Sequence, residues 1–251
     1  MPIRNVYVVN RSTLVTDAEV QTMALACGIQ ADQHVALAWG ILPVLVSYLD
    51  RASTPLAGSS VITVLDDADQ AGDLGYHSEG DGGVTFGRVF ARPVFQNGGD
   101  VLTDTLSVSS VLSHEVTELM LDPDCNRWCQ RADGTLIALE GADPVESSSY
   151  SVKVTTPSSS VAVSVSDFVL PAWFDPDAPV TARFDYLGAV TAPFQVQPTG
   201  YTIQMAGGTV TEQWGAKYPE WRKQTKLAES ARTQRRHRFS SGALISDGIH
   251  S

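Results

Sequence analysis

The chain has 251 residues, of which 43% are hydrophobic, and its 28 acidic against 17 basic side chains give a formal net charge of −11. That length and apolar content are enough for a sizeable core, as one broad domain or two smaller ones. Three cysteines (Cys27, Cys125, Cys129) are too few for a disulfide framework, and no apolar run is long enough to span a membrane.

The first residues, MPIRNVYVVNRS, lack the apolar core of a signal peptide, so synthesis in the cytoplasm is expected. Residues 3–9 alternate and are rich in β-branched side chains, which predicts a strand. A helix is predicted over residues 17–27, with Thr16 as N-cap, Gly28 as stop, and Val20, Met23, Ala24 and Cys27 turned inward. Strands are then predicted over 34–39, 44–48 and 60–65. Residues 66–83, DDADQAGDLGYHSEGDGG, are acidic and glycine-rich and read as a loop. His77 at its centre is either a substrate contact, an extra ligand, or a loop histidine with no role. Residues 84–95, VTFGRVFARPVF, predict a longer strand in which Pro93 marks an edge or a bulge.

Residues 107–128, SVSSVLSHEVTELMLDPDCNRW, concentrate the ligand-type chemistry. As a helix this stretch places His114, Glu118 and Asp122 on successive turns of one face, with Glu115 beside the row. Val111, Leu112, Val116, Leu119 and Met120 form the apolar side that anchors it. A zinc peptidase helix needs two ligands one turn apart and a carboxylate next to the first, able to take a proton from the attacking water. His114, Glu118 and Glu115 meet that need. The pattern is HExxE, so the second ligand is a carboxylate oxygen, harder than imidazole and less selective for zinc. A His and a Glu one turn apart also occur on many ordinary amphipathic helices.

The segment SHEVTELMLDPD, followed by a Trp, resembles the active helix of zincin-type metallopeptidases of bacterial and phage genomes, where the helix ends at a similar Asp-Pro. The resemblance implies an α+β fold in which a mixed sheet backs the active helix and an edge strand lines the substrate cleft. By that analogy residues 84–95 are the edge strand, binding an extended peptide by strand addition. It also makes Glu140 and Asp143, in LIALEGADPVES, the first choices for a third ligand; by residue type and position alone Asp122, Glu146 and His77 are further candidates. Zinc is the expected cofactor; the oxygen-rich set suits calcium or manganese equally, and a degenerate site holds none. Cys125 and Cys129 flank Trp128 and read as reduced thiols, a local disulfide or metal ligands.

From Ser147 the composition changes to Ser, Thr, Val and Pro. A hairpin is predicted around Pro157, with Val161, Val163 and Val165 on one face. Residues 185–215 continue in the same manner, with Gly200, Gly207 and Gly208 at turns. Trp173, Phe174, Phe184, Tyr186, Phe194, Tyr201 and Trp214 are expected to form a second apolar cluster. Residues 217–238 then hold eight of the 17 basic residues, among them Arg222, Lys223, Lys226, Arg232, Arg235, Arg236 and Arg238, and two of the 28 acidic ones.

Such an arm suits docking to nucleic acid or to an acidic protein surface, or is simply solvated. The organisation expected is therefore a zincin-like α+β unit over 1–146, a β-rich part over 147–216 packed on it, and a basic arm over 217–251. Two functional readings follow. One is a metal-dependent peptidase acting on a protein or peptide, with Glu115 as general base. The other is a structural protein of a phage virion, built on the same fold and docked to its assembly partners through the arm.

Overall fold

A computed structural model describes residues 4–69, 73–80, 83–157 and 159–225. The first strand, β1, is Asn5–Asn10, and it leads into helix α1, Asp17–Gln30. Thr16 caps α1 as its sequence announces: its side chain accepts from the Glu19 amide, and the Glu19 carboxylate accepts from the Thr16 amide at 2.8 Å. Such a cap contributes about 1 kcal/mol.

The helix does not stop at Gly28. It runs through a π-helical turn, Ala31–Val35, into α2, Ala36–Trp39, and ends only where Gly40 takes the left-handed conformation at φ 63°. The strand expected over 34–39 is thus helical, because Ala31, Val35 and Ala36 follow the helical period into the core. His34, in the π turn, stacks on Tyr186 and lies 2.7 Å from the Tyr150 hydroxyl.

Strands β2 (Leu45–Leu49), β3 (Ser60–Leu65), β4 (Gly75–Glu79) and β5 (Thr85–Phe90) complete a five-stranded sheet in the order β2-β1-β3-β5-β4. The first four in that order run parallel, and β4 is antiparallel to β5. Two expectations change here. Residues 84–95 form β5 followed by a short helix α3, Ala91–Gln96, whose Pro93 sits in the first turn, where no amide donor is needed. The terminal strand beside the cleft is β4, cut from the middle of the predicted loop.

Helix α4, Val108–Leu121, is capped by Ser107 and buried at all fourteen positions. It is covered on two sides. Val6, Val8, Ile62, Val64 and Val89 of the sheet meet α1 and α4 in the main core. On the far side, β8 (Ser149–Thr155) and β9 (Ser160–Ser166) form the predicted hairpin, whose Val152, Val154, Val163 and Val165 pack with Ala26 of α1. The Ser166 amide donates to Ser113 Oγ at 2.6 Å, tying β9 to α4. The metal-type helix therefore lies between a sheet and a hairpin.

The remaining strands, β6 (Trp128–Gln130), β7 (Leu136–Ala138), β10 (Tyr201–Ala206) and β11 (Thr209–Trp214), make a four-stranded antiparallel sheet. The aromatics divide into three groups. Trp173, Phe174, Phe184 and Phe194 share one cluster, Tyr201 and Trp214 pack with Tyr218, and Tyr186 stacks on Phe168. The described residues end in helix α5, Glu220–Thr225. Cys27, Cys125 and Cys129 are free thiols. Among the described residues no helix is long and apolar enough to cross a membrane.

Asp167 and Asp185, both fully buried, form a carboxyl pair away from α4's ligand row. Burial, and then the neighbouring Asp185 carboxylate, push Asp167 up to about 8. Between pH about 4 and about 8 the folded chain thus holds a proton that the unfolded chain has lost, so stability falls as pH rises through that window. The expected slope is up to about 1.4 kcal/mol per pH unit, flat above pH about 8. Urea denaturation at several pH values measures it, and Asp167→Asn, whose carboxamide can still donate to Asp185, should remove the slope.

Candidate metal centre

Three segments converge on one face of α4. The helix contributes His114, Glu115 and Glu118, all buried. Strand β4 contributes His77, which is fully buried and shares its side of the strand with Gly75. Gly75 is glycine for want of room: a Cβ there would lie 2.9 Å from Val111 Cγ1 and 3.0 Å from Glu115 Oε1. The segment after β7 contributes Glu140 and Asp143, brought against the end of α4 by Gly141, where a Cβ would lie 2.3 Å from Leu121 Cδ1.

His114 Nε2 lies 3.2 Å from Glu118 Oε1 and 3.2 Å from Asp143 Oδ1. Ligand atoms about 2.0–2.1 Å from a tetrahedrally bound zinc stand about 3.3–3.4 Å apart, so these three atoms fit the edges of such a shell. They are buried and mutually close enough to hold one ion. Burial alone would disfavour a charged His114, but the carboxylates of Glu118 and Asp143 outweigh it and hold the imidazole well above its ordinary value. Without a cation, protons balance this cluster.

His114 and Glu115 face a cavity of about 380 Å³, which also reaches Gly75 and Tyr76 on β4 and Arg222 on α5. A space of that size takes a side chain or a short stretch of peptide. Glu118 and Asp143 stand behind His114, away from the opening. No family model, curated protein or solved structure matches this chain. The site must therefore be judged by its own geometry.

Of the residues singled out from sequence, His114, Glu118 and Asp143 come together, Glu115 is beside them, and His77 joins from β4. Glu140 is buried close enough to His77 to act on its charge. Asp122 is used differently. It closes the helix, and its Oδ1 accepts from the amides of Asn126 at 2.9 Å and Arg127 at 3.0 Å. Glu146 is engaged by the Arg222 guanidinium. Arg222, assigned from sequence to a docking arm, is instead buried and lines the cavity, because Tyr218 and Trp221 pack beside it and Glu146 balances its charge.

Lys223 continues α5. Lys226, Arg232, Arg235, Arg236 and Arg238 lie outside the described residues. Cys125 donates its thiol hydrogen to the His77 carbonyl at 3.5 Å and Cys129 donates to the Phe174 carbonyl at 3.2 Å, so each thiol is engaged by main chain. Sequence reasoning missed the strand that carries His77 and the cavity role of Arg222. The parity of Gly75 and His77 was a usable signal for the first. For the second there was none, since its partner lies 76 residues away.

Proposed function

We propose that this chain is a metal-dependent peptidase whose ion is held by His114, Glu118 and Asp143. The observation that carries the reading is the approach of His114 Nε2 to Glu118 and Asp143, each at 3.2 Å, with Glu115 beside them at the wall of the cavity. A divalent cation there supplies the lowered pKa of a water and the polarisation of a carbonyl. The chain's own residues do the rest. Glu115, one position along α4 from His114, accepts the proton of the attacking water and passes it to the leaving amine. Strand β4 ends its sheet, and its Gly75 and Tyr76 border the cavity, where an extended peptide would meet the main chain short of His77, whose carbonyl is taken by Cys125. The resemblance of SHEVTELMLDPD to zincin-type helices supports the same reading.

The test is hydrolysis of an unfolded protein by the zinc-loaded chain. Cleavage that a chelator abolishes and added zinc restores is the expected result. A zinc-loaded chain that cleaves none of a panel of unfolded proteins would overturn the activity.

A further inference from the structure

His77 is not accounted for by a single ion at His114. Its Nε2 lies 3.0 Å from the Asp122 carbonyl oxygen, which can only accept, so that nitrogen carries a hydrogen. In the neutral ring the lone pair is then on Nδ1. That atom points at two carboxylates, 3.5 Å from Glu115 Oε2 and 3.7 Å from Glu118 Oε2, and makes no hydrogen bond. A lone pair facing two carboxylate oxygens in a site closed to solvent is repelled unless a positive charge, a proton or a metal ion, lies between them. The separations are longer than the roughly 2.7–2.9 Å of a charge-assisted N–H···O bond, and close to the edge of a metal shell. An imidazole held by a backbone carbonyl through its other nitrogen is also the usual arrangement of a metal-bound histidine.

The carboxylate count points the same way. Glu115, Glu118, Glu140 and Asp143 are at most 2% exposed, and with His77 and His114 they form one cluster. Imidazoles ligate as neutral bases. One divalent cation matches the charge of two of the four carboxylates, and two cations match all four. Glu118 can serve both ions, since its Oε1 faces His114 and its Oε2 faces His77.

We propose that the site is dinuclear: a second divalent transition-metal ion binds His77 Nδ1, Glu115 Oε2 and Glu118 Oε2, and Glu118 bridges it to the first. Glu140 stands next to this second position. Glu115 keeps its other oxygen, Oε1, on the Gly75 side, where it serves as proton acceptor. The inference rests on the first ion position proposed above and adds to it.

The experiment is equilibrium dialysis of the full chain against Mn(II), and separately Zn(II), followed by elemental analysis and electron paramagnetic resonance of the manganese form. Two ions per wild-type chain, with the spectrum of an exchange-coupled manganese pair, are expected, because ions of a two-metal site stand about 3.5–4 Å apart. His77→Ala and the milder His77→Gln should each keep one ion and give the six-line spectrum of isolated Mn(II). One uncoupled ion in the wild type, unchanged by either variant, overturns the second position and leaves the peptidase reading standing. No ion in the wild type overturns both. Should both variants fail to fold, the wild-type count and coupling decide alone.

Discussion

Glu118→Ala is expected to leave the chain without a retained divalent cation after dialysis. Glu118 is fully buried, and its Oε1 is 3.2 Å from His114 Nε2, while its Oε2 is 3.7 Å from His77 Nδ1. Glu118 belongs to both groups among the described residues that can hold an ion, so the loss of this one carboxylate removes a charged ligand from each. The readout need not be activity. At a free cation concentration 100-fold above Kd, binding stabilises the native state by about 2.7 kcal/mol. In a chain of this size that raises Tm by roughly 5–10 °C. Zinc should shift the wild-type melting curve by that amount and leave the variant's unmoved. A variant that still melts higher with zinc would place the ion elsewhere.

Glu115→Gln separates proton transfer from the binding of the ion at His114. The side chain keeps its size, and the ligands at the His114 position are untouched, so that ion is expected to stay, as elemental analysis would report. A carboxamide cannot accept the water's proton, and loss of a general base typically costs about 10²–10⁴-fold in rate. The fall should appear in kcat, because Glu115 acts on the water and not on the bound peptide. Hydrolysis within a few-fold of wild type would remove Glu115 from the mechanism. Cation loss at the His114 position would instead make Glu115 a ligand of the first ion.

How much of this was legible beforehand divides along a physical line. The N-cap of α1, the span of α4 and the β8–β9 hairpin were all readable, because each depends on neighbours within a few residues: Thr16 with Glu19, the helical period of residues 107–121, and the alternation of Val161, Val163 and Val165. The strand expected over 34–39 failed because a short apolar run has no period of its own to distinguish strand from helix. β4 was invisible for a related reason. GYHSE has no β-branched residue, and it is a strand because β5 lies beside it and supplies the main-chain partners.

The sequence by itself determined the pair His114 and Glu118, with Glu115 next to them, since helix geometry places residues i and i+4 on one face wherever the helix lies. It also marked Asp143 as a candidate, but not that its carboxylate arrives at 3.2 Å from His114. Tertiary structure alone decided which acidic groups converge and which are used elsewhere. It paired Glu146 with Arg222 and carried His77 from an apparent loop to a buried place against Glu115 and Glu118, whereas Asp122 is taken up locally by amides four and five residues on. The positions of His77 and Asp143 depend on close packing between segments distant in the chain, Gly75 against Val111 and Gly141 against Leu121. Local periodicity carries no record of such contacts, because the partner that sets the distance lies tens of residues away in the chain.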